Sequence, residues 1–147
     1  MEFRPIVRSI GEGRVLKARG STMWFKALGS ETTGMFSLME RELPPAGRRP
    51  SPHRHTNCHE SFYVLDGEIE FLLDGKSTTG GPGTFVLVPA GVAHTFANVR
   101  DSAARVLILH SPAMDRYFEE LHALLAEGGD LESERSLMRR HGMELVD

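Results

Sequence analysis

Short apolar runs separated by turn-forming residues fill most of the chain between residues 5 and 110. Such runs, bounded by glycine, proline or aspartate, predict β-strands. The runs are STMWFKAL, MFSLMERELPP, ESFYVLDGEIEFLLDGK, GTFVLVPAG, HTFANV and ARVLILH. In the stretch GEIEFLLDG, Ile69, Phe71 and Leu73 share one face while the two glutamates share the other, as half-buried strands require. This part of the chain is therefore expected to be built from sheets.

Two Asp-Gly pairs lie between these predicted strands, at Asp66-Gly67 and at Asp74-Gly75. Asp-Gly between β-formers favours a turn with positive φ, which is typical of tight hairpins. Both pairs therefore predict reversals that connect adjacent antiparallel strands.

The spacing of the apolar residues changes after Ser111. In SPAMDRYFEELHALLAEGG, Ser111 is predicted as the N-cap, Pro112 as the first helical residue, and glycine follows the end. One apolar stripe recurs at helical spacing and consists of Met114, Tyr117, Phe118, Leu121, Leu124 and Leu125. A second helix is predicted from about Ser133 to His141, after a loop at residues 126–132. Together the patterns predict an all-β barrel or sandwich with an appended helical tail.

Composition and charge narrow the function. A chain of 147 residues with 40% hydrophobic residues fits one domain with one core. The formal charge of −3 comes from mixed acids and bases without a basic stripe, so we expect a small-molecule partner and no nucleic acid. The start MEFRPIVRSI lacks the apolar stretch of a signal peptide, and no apolar run is long enough to cross a bilayer. A single cysteine forms no internal disulfide and favours a reducing compartment, so the expected location is cytoplasmic.

Candidate metal ligands concentrate in the stretch PHRHTNCHESFYVLDG, residues 52–67. If their segment is extended, His53 and His55 project from the same face and can converge on one ion. The alternation in ESFYVL places Glu60 on one side with Phe62 and Val64. If that side is the interior, the Glu60 carboxylate is costly unless it is paired or bound to a metal.

A further histidine follows a Pro-Ala-Gly turn at residues 89–91. Gly91 permits backbone angles denied to other residues, and the next strand places His94, Phe96 and Asn98 on one face. A fourth ligand, His94, is therefore available.

These two segments resemble the two conserved motifs of the cupin superfamily. The first cupin motif has glycine, five residues, His-x-His, four residues, glutamate, six residues and glycine, and it is matched by Gly47, His53, His55, Glu60 and Gly67. The second has glycine, five residues, Pro-x-Gly, two residues, histidine, three residues and asparagine, and it is matched by Gly83, Pro89, Gly91, His94 and Asn98. The motifs span residues 47–98, about a third of the chain.

The resemblance implies a cupin-type antiparallel jelly-roll β-barrel with a C-terminal α-helical extension. Residues 1–112 are predicted as the barrel and residues 113–147 as the helical extension of the same domain. The resemblance further implies one divalent ion inside the barrel, bound by His53, His55, Glu60 and His94. A homodimer is expected, because open sheet edges and an exposed apolar helix face both benefit from burial.

Three imidazoles and one carboxylate suit iron(II), manganese, nickel, cobalt, copper or zinc, and iron(II) is preferred. The chain resembles the small bacterial flavonol (quercetin) dioxygenase-like cupins, which implies a mononuclear dioxygenase acting on an enolic or phenolic substrate, with Glu60 as both ligand and catalytic base. Two alternatives stay open: a metal-dependent isomerase, epimerase or lyase, and a non-catalytic small-ligand-binding cupin, because this barrel hosts many functions.

Several other polar residues near these segments are interpreted structurally. His59 is expected at the surface by strand parity, and Cys58 is interpreted as incidental. His110 either faces the pocket or caps the following helix, and the structural interpretation is favoured. Met39 and Arg41 share a strand face and are named as possible pocket liners.

Overall fold

The computed structural model describes residues 4–146 of the chain. In that range the strands are β1 Arg14–Ala18, β2 Ser21–Ala27, β3 Ser37–Leu43, β4 His53–His55, β5 His59–Asp66, β6 Ile69–Leu73, β7 Lys76–Gly80, β8 Phe85–Val88, β9 His94–Ala97, β10 Ala104–Ser111 and β11 Met143–Leu145. Two helices, α1 Asp115–Ala126 and α2 Leu131–Arg140, and a 3-10 turn at Gly29–Glu31 complete the elements.

Two antiparallel sheets form the fold. The six-stranded sheet has the order β1-β2-β3-β10-β5-β8, and the five-stranded sheet has the order β11-β4-β9-β6-β7. This architecture, with helices after the last long strand, confirms the predicted antiparallel β-barrel with a C-terminal helical extension. The exact division at residue 112 stays a prediction.

The inner faces of the two sheets meet in one apolar core. Alternation is most regular in β10, where every second residue is buried, including Val106 and Ile108. Phe62 of one sheet packs edge-on against Phe71 and Phe96 of the other, with ring centroids 5.2 Å and 5.1 Å apart. Aromatic pairs of this geometry add to the free energy gained from burying their area.

Only one of the two Asp-Gly pairs forms the predicted hairpin. Asp74 and Gly75, with φ of 50° and 83°, join the paired strands β6 and β7. Asp66-Gly67 instead carries the chain from β5 in one sheet to β6 in the other, so the prediction of adjacent strands there is wrong. The turn residues determine the local backbone angles, whereas the pairing of the flanking strands depends on the packing of both sheets.

The first helix begins later than predicted. Ser111 is the last residue of β10, and α1 starts at Asp115 with Met114 in the N-cap position. The Met114 amide donates to the Ser37 hydroxyl at 2.9 Å, so β3 holds the residue at the start of this helix, and no side chain caps the helix itself. The predicted stripe does face the core: Tyr117, Phe118 and Leu121 are buried, and Leu124 and Leu125 pack against the core at its margin.

The second helix lies close to its predicted position, starting two residues earlier. Its N-cap is Asp130, whose carboxylate accepts from the Ser133 amide at 2.8 Å. The chain then forms β11, which the sequence patterns did not predict and which pairs with β4. The C-terminal segment therefore contributes a strand to the barrel wall as well as two helices.

The sequence patterns did not predict strands β1 and β7 either. The β7 sequence KSTTG is exposed except at its end and shows no apolar alternation. It becomes a strand because the β6–β7 turn places it beside β6, where its backbone is paired. In residues 4–146, no helix has both the length and the apolar character needed to span a bilayer.

Gly67 is expected to tolerate no side chain. At its φ of 77°, an added Cβ would lie 2.8 Å from both Cα and Cβ of Ala104 and 2.9 Å from the Ala103 carbonyl oxygen. Gly67→Ala should lower the free energy of unfolding by roughly 2–4 kcal/mol, combining the left-handed penalty with overpacking. Gly75→Ala is the matched control, because its φ is 83° and its Cβ would meet no atom within 4 Å. It should cost only about 1–2 kcal/mol in urea unfolding, and equal losses in both variants would contradict the close approach.

Candidate metal centre

Strand β4 presents two histidines to the interior. His53 and His55 are 5% and 4% exposed, while Arg54 between them is partly exposed. The strand is short, but β11 pairs with it along its whole length and His53 lies opposite His94 of β9. Pairing on both sides keeps the segment extended, and an extended segment directs both rings to one face.

Glu60 projects into the barrel from the start of β5. It is 4% exposed and shares its face with buried Phe62 and Val64, as the alternation predicted. Between β4 and β5 the chain bends at residues 56–58. The His55 carbonyl there accepts from the Gly91 amide at 2.8 Å, which ties the first histidine segment to the turn before His94.

The four predicted side chains come together in the structure. One ligand atom from each of His53, His55, Glu60 and His94 lies within 4.8 Å of the other three, and all four residues are buried. The ring centroids of His53 and His94 are 4.5 Å apart, and those of His53 and His55 are 5.0 Å apart. This cluster can hold one metal ion.

The orientation of two rings is set by backbone carbonyls. Nδ1 of His53 lies 2.7 Å from the Ser51 carbonyl oxygen, and Nδ1 of His94 lies 3.0 Å from that of Val92. A carbonyl accepts only, so each Nδ1 carries a hydrogen. Metal-binding histidines commonly donate one ring N–H to a carbonyl and keep the other nitrogen for the ion. The donor set therefore fits a divalent ion.

The protonation of the two rings differs. Burial, with the charge of His94, lowers the pKa of His53 to about 3, so its Nε2 has a free lone pair near neutral pH. Both nitrogens of His94 face acceptors, the Val92 carbonyl and Oε1 of Glu60 at 2.8 Å. Burial lowers the pKa of His94, but the hydrogen bond and charge of Glu60 outweigh it and raise this pKa. Metal binding through Nε2 of His94 would therefore release a proton.

Glu60 is the centre of the hydrogen bonds in the cluster. Its Oε1 accepts from Nε2 of His55 at 3.0 Å and from His94, while Oε2 lies 3.1 Å from Nε2 of His110. Burial raises the pKa of Glu60, but the charge of His110 and the hydrogen bonds from the three histidines hold it well below its usual range. The carboxylate is therefore ionised in the interior because imidazoles surround it.

His110 belongs to this cluster, and the favoured interpretation of it as a helix cap is wrong. Its side chain is 2% exposed, and its ring centroid is 5.8 Å from that of His55. Pairing of β10 with β5 places His110 directly opposite Glu60. The signal in the sequence is its parity with the buried Val106 and Ile108, since every second residue of a strand shares one face.

The neighbouring His59 and Cys58 lie apart from the cluster. His59 is exposed, as predicted, and its Nδ1 accepts from the Ala90 amide at 3.0 Å. Cys58 is buried, and burial together with the charge of Glu60 raises the pKa of its thiol to about 12. A thiol of that pKa is neutral near pH 7, which makes it a poor nucleophile or ligand.

A narrow cavity adjoins the cluster. It is lined by His53, His55, Glu60 and His110 and also by Arg19, Arg41, Phe96 and Tyr117. The space open to the centre of a water molecule is about 20 Å³, little more than one water requires. Of the two proposed pocket liners, Arg41 does face this cavity, whereas Met39 is a core residue with 1% exposure.

Comparisons with known proteins agree with this geometry. A family model described as the cupin domain matches residues 39–110, the stretch that carries all four clustered side chains and His110. The chain is 33% identical over 92 residues to quercetin 2,3-dioxygenase from Bacillus subtilis, which covers 63% of this chain. The chain spans only 27% of the length of that relative.

Two other relatives are closer in size. Polyketide synthase CurC from Streptomyces cyaneus is 29% identical over 114 residues, which covers 76% of this chain and 72% of that protein. The solved structure of the polyketide cyclase RemF from Streptomyces resistomycificus superposes with a TM-score of 0.56 at 25% identity, covering 69% of this chain and 70% of that one. Both matches extend over most of the barrel.

Proposed function

We propose that this chain, a member of the cupin superfamily, is an enzyme that uses one divalent metal ion to transform a small molecule. The convergence of three imidazoles and one carboxylate in a buried site beside a cavity is the observation that carries the proposal. His53, His55, Glu60 and His94 are the proposed ligands, and iron(II) is the preferred ion among those that suit mixed nitrogen and oxygen donors.

When bound, the ion would supply Lewis acidity and an open position for substrate or dioxygen. The chain itself would supply proton transfer. Oε1 of Glu60 faces the other ligands, whereas Oε2 faces His110. We propose that Glu60 accepts a proton from the substrate and that His110 shares it, because Oε2 and Nε2 are already within hydrogen-bonding distance.

The low pKa of Glu60 limits the substrates that it can deprotonate. A carboxylate held ionised by neighbouring imidazoles is a weak base, and proton transfer to a weak base is efficient only from a fairly acidic group. An enol or phenol is much less acidic than a carboxylic acid, so Glu60 would accept its proton efficiently only if the bound ion lowered the pKa of the substrate hydroxyl. The proposed enolic or phenolic substrate therefore depends on the metal ion as well as on Glu60.

A dioxygenase is the first candidate activity. The match to quercetin 2,3-dioxygenase supports it, and so does the ligand set, because iron(II) with open positions is suited to oxygen chemistry. Because the match covers only a short part of that relative, activity of this chain on the same substrate has to be tested by experiment. A flavonol would also need a wider cavity than the present one.

Metal-dependent cyclisation, isomerisation or lyase chemistry without dioxygen is the second candidate. The matches to CurC and RemF favour it, because they cover more than two thirds of those proteins.

We also propose a homodimer formed through the outer face of β5 and β8. Four large apolar residues there are 39–61% exposed, namely Tyr63, Leu65, Phe85 and Leu87. Strand β8 ends the six-stranded sheet, and an apolar face beside an open edge is typical of an interface.

The purified protein is expected to contain about one divalent ion per chain. His55→Ala and His94→Ala should each weaken metal binding by more than the 10–100-fold typical of residues that only orient a ligand. Elemental analysis after dialysis against a chelator measures the retained metal. His59→Ala is the matched control, because that histidine is exposed and lies beside Glu60 in the sequence. Full retention of metal by both ligand variants would refute the site.

Oxygen consumption with flavonols, catechols and β-diketones separates the two candidate activities. A dioxygenase should take up oxygen in proportion to bound metal, and His110→Gln should slow it by about 10²-fold or more while retaining the metal, because His110 is outside the four ligands. Glu60→Gln should be slower still, with metal content measured in parallel. Substrate loss under anaerobic conditions would support the second candidate and reject the first.

Light scattering should give twice the chain mass of 16.3 kDa. Phe85→Glu places a charge in the proposed interface and should shift the protein toward the monomer, since burying an unpaired charge is costly. Val99→Glu is the control at another exposed apolar position, 51% exposed. A monomeric wild-type protein at micromolar concentration would rule out a stable dimer.

A further inference from the structure

Arg41 is a buried cation without a carboxylate partner in the part of the chain that the structure describes. It lies in β3 and is 3% exposed. Its Nε donates to the Ser21 hydroxyl at 2.8 Å, and its guanidinium lies 5.6 Å from the centroid of the Phe96 ring. Neither neighbour carries a charge, so the guanidinium charge is not neutralised at contact distance.

A charge in this situation is energetically expensive. Burial, assisted by the charge of Arg19, lowers the pKa of Arg41 to about 9, and this group is nevertheless still protonated at neutral pH. Burying an ion without a partner costs several kcal/mol, on the order of the penalty for breaking a buried ion pair. A buried ionisable group with a strongly shifted pKa that also lines a cavity is a candidate for binding a ligand.

The neighbouring arginines do not share this condition. Arg19 is also buried, but its Nε is paired with Oε1 of Glu134 at 2.7 Å. Oε2 of Glu134 is paired with Arg48, also at 2.7 Å. Both carboxylate oxygens are therefore used by other guanidinium groups, and neither is paired with Arg41. The hollow that Arg19, Arg41 and Arg48 line together has no acidic residue among the described residues of its lining.

Arg41 also lies beside the cavity that adjoins the proposed metal site. It lines the same narrow cavity as His53, His55, Glu60 and His110, and on β10 its partner Val106 lies four residues before His110, the partner of Glu60. It lines a second hollow as well, together with Arg19 and Arg48. A small molecule that widens this cavity would therefore contact the proposed metal ligands at one end and Arg41 at the other.

We propose that Arg41 binds an anionic oxygen group of the substrate, so that the substrate is a small oxyacid whose opposite end reaches the histidine-glutamate cluster. This inference rests on the proposed function and narrows it: the enolic or phenolic substrate also carries a carboxylate or phosphate group. Arg41 is the residue that determines this specificity, because a guanidinium presents paired donors that match both groups.

The test uses three small acids that differ at one end. Malonate, its monomethyl ester and phosphonoacetate all carry one carboxylate for the cluster, and the second group is a carboxylate, a neutral ester or a phosphonate. Calorimetric titration of the zinc-loaded protein should show at least about tenfold tighter binding of malonate or phosphonoacetate than of the monoester, the scale of a charged hydrogen bond. The tighter of the two shows whether the pocket prefers carboxylate or phosphate.

In Arg41→Gln the ratio of the two dissociation constants should fall about tenfold, and any preference that remains reflects chelation of the zinc by both acid groups, which the monoester cannot provide. Arg41→Lys should restore part of the loss. Arg139→Gln is the matched control, because Arg139 is exposed and paired with Glu132. It should keep the wild-type preference. An unchanged preference in Arg41→Gln, or none in the wild type at full metal occupancy, would overturn the proposal.

A purely structural role for Arg41 gives a different result in melting experiments. If Arg41 only supports Phe96 and Ser21, Arg41→Met should melt at a lower temperature. If it is kept for a ligand, removal of an uncompensated buried charge should leave the melting temperature of the ligand-free protein unchanged or higher. Should the chain hold no metal, the proposed function fails, while the malonate preference of the metal-free chain still tests Arg41.

Discussion

The buried carboxylate of Glu60 is the constraint on which the rest of the site depends. An isolated ionised carboxylate in a protein interior is strongly disfavoured, and this one is 4% exposed. Its partners come from three different places along the chain: His55 on β4, His94 on β9 and His110 on β10. The two sheets must therefore be in register for the charge to be tolerated, and the same register produces a cluster suited to a metal ion.

The cavity beside this cluster has charges at both ends. Glu60 lies within the imidazole cluster and opposite His110 of β10, whereas Arg41 lies on the same sheet opposite Val106, four residues earlier in β10. The charge of Glu60 still raises the pKa of Arg41 against the effect of burial. Their guanidinium and carboxylate groups form no ion pair among the described residues, whereas Arg19 and Glu134 do. This separation of charge leaves each end available for a different part of a ligand. It connects the proposed base at one end with the proposed substrate specificity at the other.

The C-terminal segment does more than extend the barrel. Met114, Tyr117 and Phe118 of the α1 region contribute to the cavity wall, together with Met138 of α2 and Met143 of β11. Glu134 of α2 pairs with Arg19 after β1 and with Arg48 before β4, which ties the helices to both sheets. The methionines are flexible and polarisable, so this wall can adapt its shape to a ligand. The cavity is therefore narrow because residues of the C-terminal segment form part of its wall.

The sequence by itself determined the jelly-roll class, the two motifs and the four clustered side chains. Strand alternation predicts that the side chains of Glu60 and His94 lie on the buried face of their strands. The spacing of His53 and His55 predicts that their two side chains share one face. These are local properties, because the period of a strand is two wherever the strand lies. Only the tertiary structure decided the role of His110, the start of α1, the position of Asp66-Gly67 between sheets, and the isolation of Arg41. Each of these depends on which segments become neighbours across the barrel, and pairing between distant segments is governed by packing of the whole core, which no local pattern contains.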